Sequence, residues 1–381
     1  MKNKIFVSIA LIIISSCSTL VFWKDDANEN LLEPVALKYF KNEYPISVEW
    51  KKSFKGENNL GSFKPSFYKG NMLIADPAGN IYSIKNLSGK ENWKISIDRQ
   101  LAAGIASGFG KLIVSDVDGF VIAIDSETQD IIWKKNIGGE ILSNAVVSAS
   151  LIIVKNSVGE LVALNSSTGE KKWSFRSQLP ALTVRGTGEP IIEDEIVFSA
   201  FDNGRLGAFQ LDTGFFLWDA PISFVEGSSE LENLIDADSA PVLTKQLIFA
   251  TNYQGNLTAF DIAQKRPVWN SKASSFHSPI VASNMIMVIQ DDGSIISFSL
   301  SNLAPSWSSN EYLRRKLSGG AAFKNLLLVG DLDGYVHAIN PLTGITVGRK
   351  KISSKPIMDI VTFRELAYII DQNSNIVAIS L

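Results

Sequence analysis

A glycine followed fourteen residues later by a tryptophan occurs six times in this chain. The six pairs are Gly79/Trp93, Gly119/Trp133, Gly159/Trp173, Gly204/Trp218, Gly255/Trp269 and Gly293/Trp307. A seventh unit keeps Gly334 but has Gly348 where the tryptophan would stand. A unit copied at such a fixed spacing predicts a repeat architecture, in which each copy packs only on its neighbours.

Each unit has the pattern of a β-strand that starts at the repeat glycine. Two and five residues after the glycine every copy is apolar, and four residues after it every copy is Ala or Ser. Alternate side chains of a strand lie on opposite faces, so small and bulky faces suit a sheet stacked closely between two others. Turns such as Asp118-Gly119 predict two-residue hairpins before the strand, and turns such as Thr168-Gly169 follow it. The unit is therefore predicted to be a meander of four strands in about 40 residues, the size of a propeller blade.

The two ends of the chain complete the last unit. If Ser374 takes the place of the repeat glycine, Ile376, Ala378 and Ile379 fall on the expected positions, but the chain ends before a fourth strand. Trp50 lies upstream at the right distance from Gly79 to be a repeat tryptophan. We therefore expect an all-β fold, an eight-bladed β-propeller of four-stranded antiparallel blades, whose last blade is closed by the N-terminal strand so that no edge stays open around the ring.

The first residues have the pattern of an export signal. A basic start at Lys2 and Lys4, an apolar run over 5–14 and small residues before Cys17 are typical of a secretory leader that is too short to span a membrane. Because Cys17 is the only cysteine, no disulfide is expected. The predicted domains are a lipoprotein signal peptide (1–16), a lipidated N-terminus and tether (17–45) with one short helix near Pro34–Asn42, and the propeller (46–381).

Ile14-Ser15-Ser16-Cys17 resembles a bacterial lipobox. The resemblance implies that Cys17 is diacylated, for example with palmitate, and becomes the mature N-terminus. Two acyl chains would then anchor the protein stably to a membrane. Ser18 after the cysteine is similar to the outer-membrane sorting signal of such lipoproteins, and the resemblance implies a location on the periplasmic face of a Gram-negative outer membrane. The alternative is a chance cysteine in an ordinary signal peptide.

Charge and motif content argue against several functions. Removing Lys2 and Lys4 with the leader leaves 34 basic against 39 acidic side chains, and no basic stripe is present, so no nucleic-acid partner is expected. No nucleophile, zinc-protease or phosphate-loop motif occurs. Of the two histidines, His337 lies inside a repeat strand, where a half-buried structural role is expected, and His277 has no partner at metal-ligand spacing. We expect no catalytic residue, no cofactor and no metal.

Aspartates that recur with the repeat have a structural explanation. Asp76, Asp116 and Asp331 each stand at a turn before a repeat glycine. We therefore interpret them as hairpin residues and not as a catalytic acid pair.

The repeat is interrupted in two consecutive places. The interval from a tryptophan to the next repeat glycine is 31 and 37 residues after Trp173 and Trp218, against 24 to 27 elsewhere. Departures from the period in a repeat protein mark its functional surface. Since loops of a meander alternate between two ends, the insertions at 177–189 and 224–239 and the turn at 202–205 are predicted to cluster at one end of the fourth and fifth blades.

The first insertion carries apolar side chains beside a cation, as interface hot spots do. The alternative is that Leu182 and Val184 tuck under the loop while Arg185 pairs with an aspartate. The second insertion is acidic, and it is either a solvated loop or the place where Asp236 or Asp238 holds Arg185. The predicted partner-binding residues are Leu182, Thr183, Val184, Arg185, Asp202, Asn203, Arg205, Glu230, Asp236 and Asp238.

The repeat resembles that of quinoprotein (PQQ-type) propellers, with Ala163-Leu164-Asn165, Thr168-Gly169 and Trp173 close to its full form. Within that group the chain resembles the BamB family, lipoproteins of the outer-membrane β-barrel assembly (BAM) machinery. Segments that match the family pattern in order are Leu182–Gly186, Asp202–Arg205, Asp236–Asp238 with Pro241-Val242, and Tyr253–Ala259. Asn233 departs from it, because the family tends to carry Arg there.

The resemblance implies a non-catalytic scaffold that docks the periplasmic POTRA domains of BamA, contacts other BAM subunits and aids insertion of outer-membrane proteins. It implies that Leu182, Val184 and Arg185 contribute together with Asp236 and Asp238, and the propeller itself is expected to be monomeric. Two other classes remain open, an envelope lipoprotein that binds glycan or another envelope protein, and a PQQ-dependent dehydrogenase. The dehydrogenases are longer, bind calcium beside the quinone and often carry a vicinal cysteine pair, whereas this chain has no cysteine after Cys17.

Overall fold

A computed structural model describes residues 33–56, 63–179, 188–223 and 239–381. Within these ranges the chain forms β-strands and no helix. In chain order the strands are β1 (Ser47–Ser53), β2 (Ser66–Tyr68), β3 (Asn71–Ala75), β4 (Asn80–Lys85), β5 (Glu91–Ser96), β6 (Leu101–Gly108), β7 (Lys111–Asp116), β8 (Phe120–Asp125), β9 (Ile131–Asn136), β10 (Val146–Val147), β11 (Leu151–Lys155), β12 (Glu160–Asn165), β13 (Lys171–Arg176), β14 (Ile191–Glu193), β15 (Ile196–Phe201), β16 (Arg205–Gln210), β17 (Phe216–Pro221), β18 (Val242–Leu243), β19 (Leu247–Thr251), β20 (Asn256–Asp261), β21 (Arg266–Lys272), β22 (Ile280–Ala282), β23 (Met285–Ile289), β24 (Ile295–Ser299), β25 (Pro305–Ser309), β26 (Ala321–Phe323), β27 (Leu326–Gly330), β28 (Tyr335–Ile339), β29 (Thr346–Lys351), β30 (Ile357–Phe363), β31 (Leu366–Asp371) and β32 (Asn375–Ser380). None of the described residues belongs to a helix long and apolar enough to cross a bilayer.

The strands form eight four-stranded antiparallel sheets, which confirms the predicted eight-bladed propeller. Blades 1 to 7 each consist of four successive strands, from β2–β5 to β26–β29. Blade 8 has the order β1-β32-β31-β30, so its outermost strand comes from the start of the chain. Ser47 pairs with Ser380 and Ser53 with Asn375, which confirms that the N-terminal strand closes the ring.

The repeat pattern reflects a contact between the third and fourth strands of a blade, which seven of the eight blades have. The small residue four positions after the repeat glycine lies directly opposite the repeat tryptophan, as Ala123 lies opposite Trp133 and Ala378 opposite Trp50. A larger side chain there would compete with the indole ring for the same space. The ladder is irregular immediately after this pair, between Ala123 and Ile124 in blade 2 and at the equivalent place in blades 1 and 3 to 7.

The turns before the repeat glycine differ from the predicted two-residue hairpins. In blade 1 Asp76 N donates to Asn80 O at 2.9 Å and Gly79 N to Asp76 O at 3.0 Å, which leaves three residues in the loop. Gly79 has a φ of 89°, as a three-residue loop that ends in a left-handed residue requires. The Asp76 carboxylate accepts the Asn80 amide at 2.9 Å, and the third loop residue is what lets it reach that amide. The hairpin role of Asp76 is confirmed, as it is for Asp116 and Asp331.

These turns share one end of the ring with the blade-to-blade connections, as predicted. Ile97 N, just past the last strand of blade 1, donates to Gly79 O at 3.0 Å, and Ile222 N donates to Gly204 O at 2.8 Å after blade 4. We call this end the Gly-turn end and define it by the turns at 76–79, 116–119, 156–159, 201–204, 252–255, 290–293, 331–334 and 371–374. Gln254, not Gly255, carries the positive φ in the blade 5 turn.

At four of the eight junctions a tryptophan packs its blade on the next one at a second glycine. The Trp133 indole N–H donates to Ser166 O at 3.0 Å, and a Cβ atom on Gly169 would lie 2.6 Å from the indole ring. Trp50 with Gly89, Trp173 with Gly214 and Trp307 with Gly344 repeat the arrangement. These contacts support the prediction that the repeat tryptophans pack blades together.

Residues 34–46 lie on blades 6 and 7 and form no helix, so the helix expected near Pro34–Asn42 was wrong. Val35 N donates to Leu313 O at 3.1 Å, and Tyr44 N donates to Val347 O at 3.1 Å. Arg349 reaches across to donate to Lys38 O at 2.8 Å. These backbone groups bind the propeller and are therefore not paired with one another in helical turns.

The same segment explains why the seventh unit lacks its tryptophan. A Cβ atom on Gly348 would lie 2.6 Å from Tyr44 O, so the crossing segment leaves no room for a side chain. A tryptophan at this position would pack on the turn between the third and fourth strands of blade 8. Those strands are β32 and β1, which are not consecutive in the chain, so no such turn joins them. Gly348 thus marks the place where the two ends of the chain interrupt the repeat.

We predict that Gly169→Ala lowers the free energy of unfolding by about 2 kcal/mol more than Gly110→Ala. Both glycines have a positive φ, of 71° and 78°, so the backbone strain is similar. Only Gly169 faces an indole ring, whereas nothing lies within 4 Å of the Cβ position at Gly110. Urea unfolding followed by tryptophan fluorescence measures the difference, and equal losses in the two variants would contradict the fastening role.

Candidate docking site

Most of the predicted docking residues lie outside the described residues. This holds for Cys17 and for Leu182, Thr183, Val184, Arg185, Glu230, Asp236 and Asp238. The strands that lead into the two insertions are described, and both β13 and β17 end at the Gly-turn end. Ser177 N donates to Gly159 O at 2.9 Å there, and Leu179 lies over Gly159. The chain therefore enters both insertions from the same end of blades 3 and 4.

The three predicted residues that are described have different environments. Asp202 is buried, its Oδ1 lies 3.8 Å from Lys155 Nζ and accepts no hydrogen bond from the described residues, and Lys155 is buried as well. Asn203 Oδ1 accepts the Arg205 backbone N–H at 3.2 Å, and the partly exposed Arg205 side chain pairs with Asp219. Asp202 therefore lies beneath the surface to which Arg205 contributes, and contact of either with a partner stays a prediction.

Sequence reasoning missed a cluster of four phenylalanines beside this turn. Phe175 lies 4.6 Å from Phe209 and 6.0 Å from Phe216 between ring centroids, and Phe201 lies 5.6 Å from Phe175. Phe175 belongs to blade 3 and the other three to blade 4. The available signal was Phe201, which stands where other units carry Asp, Asn or Gln before the repeat glycine.

His337 is buried and holds together a polar network between blades 6 and 7. Arg349 Nε donates to His337 Nδ1 at 2.9 Å, so the Nε2–H of a neutral ring donates to Asp331 Oδ2 at 3.0 Å. Burial lowers the pKa of His337, against the opposing influence of Asp331. Arg315 also pairs with Asp331, at 2.8 Å, and donates to Val35 O at 3.0 Å. The predicted structural role is confirmed, although the ring is fully buried and not half-buried.

Charged groups also meet near the first strands of several blades. Lys64 Nζ lies 3.2 Å from Asp359 Oδ2, and Asp359 raises the pKa of the Lys64 ammonium. Burial raises the pKa of Glu189 and lowers that of His277, whose Nε2 lies 3.1 Å from Leu317 O. The Lys64 side chain keeps 40% of its accessibility, so solvent screens the pair. Among the described residues, no group of three His, Cys, Asp or Glu side chains has the geometry of a metal site.

Comparison with known proteins places the chain in a family. The family described as "Outer membrane protein assembly factor BamB" matches residues 77–309, more than half of the chain. An outer membrane protein assembly factor BamB from Pseudomonas aeruginosa is 36% identical over 93% of this chain and 91% of the relative. This chain belongs to the BamB family. A BamB relative from Kangiella koreensis is 35% identical over 85% of this chain and 84% of its own length.

Solved structures show the same fold at lower identity. BamB from Moraxella catarrhalis has a TM-score of 0.81 and 20% identity, covering 88% of this chain and all of that one. A quinohemoprotein alcohol dehydrogenase from Comamonas testosteroni has a TM-score of 0.67 at 13% identity, covering 88% of this chain and 76% of the enzyme. The BamB family therefore shares its propeller with quinoprotein enzymes, and a fold alone does not assign an activity.

We predict that stability falls as the pH drops below the ordinary histidine pKa, in part because of His337. The pKa of His337 is lowered in the folded state, so below about pH 6.5 the unfolded chain takes up a proton that the folded one refuses. A His337→Gln variant can keep both hydrogen bonds without titrating, and the wild type should lose about 1 kcal/mol more than this variant between about pH 7.5 and about pH 5.5.

Urea unfolding of both proteins at the two pH values measures this difference. His277, whose pKa is also lowered, is present in both proteins and cancels from the comparison. Identical pH dependence in wild type and variant would show that His337 does not contribute.

Proposed function

We propose that this chain is a non-catalytic scaffold of the BAM machinery that docks the POTRA domains of BamA at the Gly-turn end of blades 4 and 5, and that it contacts other BAM subunits. Membership of a family of outer membrane protein assembly factors supports the role. The observation that carries the location is that β13 and β17, which lead into the only two long insertions of the repeat, end beside the turn at 202–205. Docking in this way would aid insertion of outer-membrane proteins.

The site has features that suit a docking role. Outside the insertions, repeat units are constrained by their contacts with neighbouring blades, whereas inserted loops can vary without disturbing the ring. Leu182 and Val184 beside Arg185 form the apolar-plus-guanidinium combination that is enriched at interface hot spots. The Arg205–Asp219 pair on the adjoining surface adds polar groups at the rim.

The first test is charge reversal within the first insertion. Arg185→Glu should weaken binding of the purified POTRA domains of BamA at least tenfold, because hot-spot residues typically contribute about 2 kcal/mol or more. Arg364→Glu is the matched control, since it makes the same charge change on an exposed turn between β30 and β31, away from the Gly-turn end. Calorimetry gives both affinities, and a folded Arg185→Glu variant with wild-type affinity would overturn the proposed location.

We also propose that Cys17 is diacylated and holds the propeller at the periplasmic face of the outer membrane through residues 18–33. Cys17→Ser should move the protein from the membrane fraction to the soluble periplasmic fraction and abolish incorporation of labelled palmitate, because one hydroxyl cannot replace a lipid anchor. Ser16→Ala, next to the cleavage point, serves as a control that should leave fractionation unchanged. Palmitate labelling of the Cys17→Ser protein would refute the assignment.

A further inference from the structure

Blade 4 departs from the repeat at two positions that touch each other. The residue three positions before the repeat glycine is Asp, Asn or Gln in the other seven units but Phe201 here. The residue three positions after it is Gly207, where the other units carry a side chain. A Cβ atom on Gly207 would lie 3.0 Å from both Phe201 and Phe209, so the missing side chain makes room for the Phe201 ring. The turn has thus exchanged a capping polar group for an aromatic one.

The exchange contributes to an open pocket at the Gly-turn end that is lined by aromatic rings and polar side chains together. Phe175, Phe201, Phe209 and Phe216 line a cavity of about 70 Å³ together with Gly207. Phe216 remains 43% exposed although it packs against Phe175 and Phe209. A space of this size is large enough for a few water molecules, which a partner side chain can displace.

The rim of the pocket is positively charged. Arg205 is neutralised by Asp219, and both line the pocket. Arg176, the last residue of β13, also lines it, is exposed and makes no ion pair with any of the described residues. Lys155 and Asp202 lie buried below the turn and compensate each other. The group that complements this rim is therefore a carboxylate placed next to an apolar side chain.

We propose that this pocket receives one aliphatic side chain of the docked periplasmic domain, beside a partner carboxylate that pairs with Arg176. The inference rests on the proposed function and specifies the chemistry of the partner surface. The pocket opens next to Ser177 and Gln178, where the chain enters the first insertion, so one partner domain can contact both. A desolvated pocket that takes a single anchor is the usual form of an interface hot spot.

Paired substitutions test the pocket and its rim separately. Phe216→Ser removes the exposed wall, and Phe215→Ser is its control, because Phe215 is 67% exposed and does not line the pocket. Arg176→Glu reverses the rim charge, and Lys172→Glu makes a matched reversal elsewhere on the exposed part of β13. Far-ultraviolet circular dichroism and the thermal midpoint establish that each variant is folded.

The measurement is the affinity for the purified POTRA domains of BamA at low and high salt. Phe216→Ser is expected to weaken binding about tenfold or more at both salt concentrations, whereas Phe215→Ser stays within about twofold. Arg176→Glu is expected to weaken binding about tenfold at low salt and less at high salt, because salt screens an exposed pair. Lys172→Glu is expected to stay within about twofold at either salt concentration.

The outcomes separate this inference from the proposed function. If Arg185→Glu weakens binding while Phe216→Ser and Arg176→Glu bind like their controls, the pocket is not a contact and the docking role stands. If the wild type does not bind the POTRA domains at all, both fail. Should Phe216→Ser not fold, Arg176→Glu decides alone, since its side chain lies on the surface.

Discussion

The propeller depends on contacts between neighbouring blades, and at four of its eight junctions a tryptophan of one blade packs on a glycine turn of the next. The indole ring lies flat enough on the turn to exclude any Cβ atom, and its N–H satisfies a backbone carbonyl of the neighbouring blade, as Trp133 does with Gly169 and Ser166. A blade cannot bury both faces by itself, so the free energy of folding comes from such nearest-neighbour contacts. The fixed glycine-to-tryptophan spacing places each tryptophan opposite the small residue of its own blade, as Trp133 lies opposite Ala123.

Regular contacts around the ring restrict where a partner-specific surface can form. The outer strands and the turns repeat, and a change in one of them disturbs the next blade. Variation is therefore concentrated in the connections and at places such as the turn at 201–204 and the start of β16, where Phe201 and Gly207 replace the usual residues without altering the strand register. The polar network around His337 is a comparable local change between blades 6 and 7, but it serves the crossing N-terminal segment and lies buried.

Much of the fold could be predicted because its determinants are local. The glycine-to-tryptophan spacing and the small residue opposite each tryptophan reveal strand order, and the position of Trp50 reveals ring closure. The predicted turn type was wrong because Asp118-Gly119 and its counterparts suit both two-residue and three-residue hairpin loops. The bond that the Asp116 carboxylate accepts from the Phe120 amide accompanies the longer loop, and it becomes visible only in the folded structure. The helix near Pro34–Asn42 was wrong because Arg315 and Arg349, far away in sequence, bind its backbone carbonyls. The aromatic pocket was missed because Phe175 comes from the neighbouring blade.

The N-terminal segment has a consequence for assembly through its contact with Gly348. Val347 O already accepts the Glu43 and Tyr44 amides at 2.8 and 3.1 Å, so the chain occupies part of the outer edge of blade 7 with its own backbone. A foreign strand that sought to extend that sheet would first have to displace residues 43–46 and break the guanidinium contacts to Val35 and Lys38. The outer edge of blade 7 is thus partly closed to strand addition by the N-terminal segment of the same chain.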